Sequence, residues 1–471
     1  MGLPSLPDPG DAAPHDRRPP AQLGVGAQLL GVALLVGLGL RLAPILAADF
    51  PLRDGGLFVT MAHDIRNAGF GLPEFSTFNT GQVPFAYPPL GIYILALIPG
   101  DPITTERWLP LLWSLLAIPA AYLLARELTD ELRAGLTALI FAAMPVTWAI
   151  EGGGVTRALA LALLLLALWR LAVLVRLPGP RNAILAGVLA GVAVLAHPAV
   201  GPSGIASGIV LLAFRPSRRG LAFVGLAGVV LAVVVAPWLA MVVLRYGTGT
   251  IVAGATAHHT EETFGRLLAI GPSWIGALDF VLPLALLGIA MVVHRRDWLL
   301  PVWLVVLLFV PAGEGRYAAI VWALLAATGA IVIADAARSV GALKLTAGIG
   351  FAWLFTASLV AGYQQFNALP IGTRQAIALA ASQTHAGARF AVISEQPGLE
   401  AMLLDWFPTL SGRISLGTYQ GLEWTTVEGS DAVVALDDRI QKGQIPADAD
   451  FVFTALADGS SRWGPASDFG R

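Results

Sequence analysis

Two short acidic turns carry the residue types from which a group-transfer site could be built. The first reads Arg53-Asp54-Gly55-Gly56, and the second Glu151-Gly152-Gly153-Gly154, with Arg157 opening the helix that follows. A carboxylate can take a proton from an acceptor hydroxyl, and an arginine beside it can hold a phosphate or another departing anion. The glycines let a backbone or a ligand come close, and three in a row exceed what a structural turn needs. Each acid also has a plain structural reading. Asp54 precedes the helically spaced stretch Gly55–Ala68, and on the residues alone an N-cap is the default. Glu151 reads equally as a charge closing a helix end. His63 and Asp64, on the polar face of Gly55–Ala68, read as solvated.

The remaining cations are ambiguous in the same way. Arg41 lies in the outer part of the first apolar run, where it either snorkels to the interface or turns inward toward a phosphate. Arg316 either pairs with Glu314 or binds phosphate. His258, His259, Glu261 and Glu262 form a mixed cluster, but adjacent loop histidines are a weak metal signature, so no metal site or cofactor is assigned and a divalent metal is not favoured. His197, before Pro198, reads as a helix cap. The chain has no cysteine, which excludes disulfides, thiolate metal sites and a cysteine nucleophile.

A membrane must position these turns. Of 471 residues 56% are hydrophobic and 13% charged, against roughly 25% charged in a soluble domain. The net charge of −2 offers no basic field for nucleic acid. Residues 1–22 form a polar, proline-rich tail, and Leu23–Ala48 is an uncleaved first span. Further apolar runs lie near 106–126, 133–150, 155–176, 183–198, 200–214, 220–244, 266–293, 298–312, 316–337 and 345–363, predicting about eleven transmembrane helices in an all-α polytopic bundle over 23–363. Arginines cluster in every second loop, which puts the N-terminus in the cytoplasm and the C-terminus outside. The long first external loop, 49–106, then holds Gly55–Ala68 as a surface helix. It also holds Tyr87–Pro99, which is short for a span and reads as a re-entrant or interfacial piece starting at Pro88-Pro89. Ionisable residues gather at the external helix ends rather than mid-membrane, which suits an interfacial site better than an ion path. Residues 364–471 have soluble character and predict a small external α/β domain, cut short, with helices over 373–384 and 400–407 and strands over 390–394 and 451–455.

Taken in order, several motifs resemble the GT-C class of polytopic membrane glycosyltransferases, which includes protein O-mannosyltransferases, aminoarabinose lipid A transferases and oligosaccharyltransferase catalytic subunits. They are Arg53-Asp54, Tyr87-Pro88-Pro89-Leu90, Arg107 with Tyr122–Leu128, Ala142–Pro145, Glu151, and Trp406–Arg413 with Gly421 and Glu423-Trp424. The resemblance implies that a sugar moves from a polyprenyl-phosphate carrier to a lipid, glycan or protein acceptor on the external face of the cell membrane. It implies Asp54 as base and Glu151 as a second site acid, with substrate contacts from Arg41, Arg53, Tyr87, Arg157 and Arg316. Many members of the class carry an acid pair where this chain has Asp54-Gly55, and metal-using members carry Asp-x-Asp where it has Glu151-Gly-Gly. Both departures point away from a metal-dependent mechanism. Two other readings are a non-catalytic relative acting in cell-surface polymer assembly and a transporter. A transporter predicts repeated halves and midplane polar groups, and the sequence shows neither.

Overall fold

Helices dominate the computed structural model, which describes residues 24–144, 150–214, 218–256, 281–310, 315–337, 339–365, 367–396, 398–425 and 427–469. The long helices are α1 (Val25–Ala47), α4 (Pro102–Leu128), α6 (Gly154–Arg176), α9 (Arg218–Tyr246), α13 (Ala319–Ala336) and α14 (Val340–Gln365). Between them lie α5 (Glu131–Ala143), α7 (Pro180–Ala196), α8 (Val200–Phe214), α10 (Thr248–Thr256), α11 (Val281–His294) and α12 (Leu299–Phe309). Among the described residues six helices are long and apolar enough to cross a membrane, and α7, α8, α11 and α12 are apolar but shorter. Every apolar run of the sequence therefore contains a helix, but not every one reaches spanning length. The run ending at His294 is described only from Val281, and the one expected over 133–150 stops as a helix at Ala143.

Local chemistry fixes where the first bundle helices start. The Asp101 carboxylate accepts the Ile103 and Thr104 amides at 3.2 and 3.1 Å, with Pro102 at the first helical position. Asp130 caps α5 through the Arg133 amide at 2.9 Å. The α4–α5 turn, the start of α1 and the end of α6 share one end of the bundle: Arg176 Nε lies 2.5 Å from Glu127, and Gly24 sits against Glu131. Arg126, Arg133 and Arg176 thus occupy the same end. The opposite end carries both acidic turns.

That opposite end is elaborated by α2 (Gly56–Asn67), the short hairpin β1–β2 (Phe75–Ser76 and Val83–Pro84) and α3 (Leu90–Leu97). The eight residues of α3 rise only about 12 Å, well short of a bilayer core. Instead of lying on a surface, α2 packs between α3 and the C-terminal unit, burying Leu57, Val59, Met61, Ala62 and Ile65. The expectation of a solvated Asp64 is also corrected. Its buried carboxylate accepts Ser76 Oγ at 2.7 Å and the Thr77 amide and hydroxyl at 2.9 and 2.7 Å, fixing the turn into the hairpin.

The C-terminal unit is a four-stranded sheet in the order β4-β3-β5-β6, formed by β3 (Arg389–Ser394), β4 (Ile414–Ser415), β5 (Phe451–Ala455) and β6 (Ser461–Pro465). β3 runs parallel to β4 and β5, and β6 is antiparallel to β5. Helices α15 (Ile371–Gln383), α16 (Glu400–Ser411) and α17 (Val427–Gln441) complete it around a core of Phe390, Trp406, Phe407 and Phe453. β6 was not anticipated, because its residues lack a clean apolar period, and α17 was missed although Leu436 and Ile440 lie at helical spacing on its buried face. The unit joins the bundle end through a Leu52–Ala368 bridge and an Arg374–Asp49 pair at 2.5 Å.

Glycines set the closest helix crossing. At Gly288 of α11 and Gly329 of α13, a β-carbon would fall on the facing carbonyls of Leu325 and Leu284. Gly329→Val should therefore force α11 and α13 apart and cost about 1–3 kcal/mol. Thermal unfolding of the purified protein in detergent checks this, and an unchanged midpoint would show that the crossing has slack.

Candidate active site at the bundle end

The two acidic turns meet backbone to backbone. Gly152 donates its amide to the Leu52 carbonyl at 2.8 Å. A β-carbon at Gly152 would fall on the Asp54 carbonyl, and one at Gly153 on the Arg157 guanidinium. Gly152 is thus required by the backbone of the other turn, and Gly153 by the Arg157–Asp54 pair. Arg53 sits at φ 57°, the left-handed region, which costs a non-glycine residue about 1–2 kcal/mol. Its peptide groups are clamped accordingly: its amide donates to the Asn367 carbonyl, and its carbonyl accepts Trp406 Nε1, both at 2.8 Å.

This contact interleaves two acids with two arginines. Arg157 Nη2 is ion-paired to Asp54 Oδ2, and the Gly153 amide donates to Asp54 Oδ1 at 3.2 Å. Arg157 Nη1 lies 3.9 Å from Glu151, and Arg53 Nε lies 3.3 Å from the other Glu151 oxygen. Asp54 and Arg53 are 36% and 47% exposed and Glu151 9%, so Asp54 and Arg53 face solvent while the buried Glu151 braces the arginines. Burial pushes the Asp54 carboxyl upward. The Arg157 guanidinium, the Gly153 amide and Arg53 together outweigh it and hold the group below the ordinary carboxylate range. Asp54 is therefore ionised at neutral pH.

The N-cap reading of Asp54 is overturned. Gly55, at φ 146°, occupies the cap of α2, and no capping side chain comes from its own turn. The cap is supplied from the C-terminal unit. Asp405 Oδ2 accepts the Gly55 and Gly56 amides at 2.6 and 2.8 Å, and Oδ1 accepts the Leu57 amide at 3.3 Å. Asp54 is left available to Arg157. Glu106 of α4 lies beneath the same turn, fully buried, with its carboxyl oxygens where a Gly55 β-carbon would be. Asp405 and Glu106 were missed in the sequence, and Trp406 stood out only as part of a motif with no site role assigned. The available signal was an acid inside the apolar run Met402–Phe407, and another at the very start of a spanning helix.

Tyr87 stands next to the second turn. Its hydroxyl is 3.2 Å from Thr156 Oγ1, and its ring meets Phe58, His197 and Trp424 edge-on. Arg41 does not join the cluster. It is buried in α1 and donates to the Ala142 and Gly37 carbonyls at 2.7 and 3.3 Å, tying α1 to α5. The side chains of Glu314 and Arg316 and the 258–262 cluster lie outside the described residues. Among the described residues, no three histidine or acidic side chains converge as a metal site. An open groove of about 540 Å³ lies by the end of α1, between Asp49 and the C-terminal residues Asn367, Leu399 and Met402.

With this geometry in place, comparison with known proteins is informative. Residues 86–241 match the family described as dolichyl-phosphate-mannose-protein mannosyltransferase. No curated protein matches the chain by sequence. The fold is shared with the oligosaccharyltransferase of Archaeoglobus fulgidus, at 14% identity and a TM-score of 0.57, over 91% of this chain and 69% of that one. It is also shared with ArnT from Cupriavidus metallidurans bound to undecaprenyl phosphate, at 15% identity and a TM-score of 0.54, over 91% of this chain and 92% of that one. The chain is a multi-pass membrane protein with the GT-C fold.

Asp405 supplies a pH test. Burial, the Asp54 charge second, raises its carboxyl to about 6 against the three amides. A raised acid favours the folded state while protonated, so its contribution is complete below the unfolded value near 4 and lost as pH rises through about 6. Asp405→Asn should therefore gain on the parent protein between pH 4 and 7, by at most about 3 kcal/mol. Melting curves across that range check it, and parallel pH profiles for the two proteins would contradict it.

Proposed function

We propose that this chain is a membrane glycosyltransferase that moves a sugar from a polyprenyl-phosphate carrier to an acceptor, with Asp54 as the base. The observation that carries the reading is the meeting of Asp54, Glu151, Arg53 and Arg157 at one end of the bundle. Support comes also from the fold shared with an oligosaccharyltransferase solved with dolichol-phosphate and with ArnT bound to undecaprenyl phosphate.

The chemistry follows from the charges. The acceptor hydroxyl gives its proton to the Asp54 carboxylate as its oxygen bonds to the anomeric carbon. The bond from that carbon to the carrier phosphate breaks, and the electron pair leaves with the phosphate, which Arg157 and Arg53 stabilise. In the resting chain Arg157 is engaged by Asp54. A hydrogen bond to a charged group is worth about 1.5–3 kcal/mol, weak enough for a phosphate to compete for the guanidinium. Donor binding then relieves Asp54 of the partner that lowers its basicity. Glu151 keeps both arginines within the site, and Tyr87 flanks it. Arg41 has no phosphate role in this account, because its hydrogen bonds are made inside the bundle.

Asp54→Asn should lower transfer from a polyprenyl-phosphate-linked sugar about 10²–10⁴-fold with unchanged yield and a small drop in melting temperature from the lost Arg157 pair, and Arg157→Gln about 10²–10³-fold. Full transfer by the Asp54 variant, read by radiolabelled product, removes it from the mechanism. The site end is further proposed to face outward. The cysteine-free background allows a direct check with an impermeant maleimide on intact cells. Ala386→Cys, exposed on the C-terminal unit, should label, and Leu132→Cys at the α4–α5 turn should not. The reverse pattern inverts the topology.

A further inference from the structure

We infer that the C-terminal unit is part of the catalytic apparatus, with Asp405 as a positioning residue that sets the conformation of the Asp54 turn. The inference rests on the proposed role of Asp54 as base.

Everything that shapes the Asp54 turn on one side comes from residues more than 300 positions away. Asp405 binds the amides of Gly55, Gly56 and Leu57, the three peptide groups directly after Asp54. Trp406 Nε1 and the Asn367 carbonyl hold the Arg53 peptide groups directly before it. Thr409 Oγ1 donates to the Gly56 carbonyl at 2.8 Å and lies 2.9 Å from the Thr60 hydroxyl. Asp54 itself makes none of these contacts. Its side chain faces Arg157 and Gly153, while its backbone is gripped on both flanks by the C-terminal unit.

The grip holds the turn in a shape it would not adopt unaided. Arg53 is left-handed and Gly55 lies at φ 146°. The amides at the start of α2 carry its positive end, and the acid that satisfies them is borrowed from α16. Close packing leaves no other arrangement. A β-carbon at Gly56 would fall on the Asp405 carbonyl, and one at Gly55 would come within 2.5 Å of Glu106. The turn is thus held between α16 and α4. Other ionisable groups acting on Asp405 or on Glu106 from their surroundings are Asp54, Glu423, Asp101, Arg157 and Tyr419. None of the acids among them can replace a three-amide cap. Arg157, by contrast, stands on α6 and is not carried by this turn, so this arginine and the base are mounted separately, whereas Arg53 shares the turn of the base. Loosening Asp405 should misplace the base while Arg157 still holds the donor phosphate.

The test uses the full chain in lipid nanodiscs with polyprenyl-phosphate-mannose as donor. Asp405→Asn keeps one acceptor oxygen and the side-chain size, so it should fold, while its NH2 group can no longer accept from the backbone amide it faces. It should lower kcat at least tenfold, hold the donor KM within twofold, and speed hydrogen exchange of the 55–57 amides about tenfold. Trp406→Phe, which removes only the bond to the Arg53 carbonyl, should show the same split with a smaller loss. Parent-level kcat in both variants, or a loss confined to KM, overturns the positioning role. So does unchanged exchange at residues 55–57. Failure of the underlying reading is distinguishable, because Asp54→Asn would then retain full kcat whatever the Asp405 variant does.

Discussion

The hydrogen bond from the Gly152 amide to the Leu52 carbonyl joins two turns from opposite sides of the first long helices, and the site depends on that contact. It requires hydrogen in place of a side chain at Gly152 and Gly153. Once made, it puts Asp54 and Glu151 on either side of one guanidinium. The remaining features at this end serve the same junction. α4 brings Glu106 under Gly55, α6 supplies Arg157 from its first turn, and α16 reaches in with Asp405 and Trp406. A bundle held largely by non-directional apolar packing is thereby given a cluster of fixed polar geometry at this end.

The polar geometry is divided between two supports. Arg157, which could meet a phosphate, is mounted on a bundle helix, and the acid that could meet an acceptor is mounted, with Arg53, on a turn gripped by the C-terminal unit. A donor anchored in lipid and an acceptor arriving from water approach from different directions, and mounting the two groups separately suits that. The groove by the end of α1, between bundle and C-terminal unit, lies beside the same turn.

Much of this was legible in the sequence, and the limits have physical causes. Apolar runs of spanning length and the alternation of arginines located the helices, because lipid punishes exposed backbone and charge strongly enough to pattern every span. The two acids stood out because charge is rare in this chain. The glycine run was recognised as a sign of close approach, although what approaches is the neighbouring turn. Long-range satisfaction of backbone groups could not be read. Nothing local distinguishes an aspartate that caps its own helix from one whose helix is capped by Asp405, 350 residues later. Arg41 illustrates the converse: its position along α1 suited a phosphate, but its rotamer toward the Ala142 carbonyl is set by how α1 meets α5. β6 escaped because a half-exposed strand carries little hydrophobic period.

The most direct measurement is an electron cryo-microscopy structure of the chain in nanodiscs with a polyprenyl phosphate. The account predicts phosphate oxygens within hydrogen-bond reach of Arg157 or Arg53, with the Arg157 guanidinium turned away from Asp54. A phosphate bound at the Arg126 end of the bundle, or one out of reach of both arginines with the Asp54 ion pair intact, would contradict it.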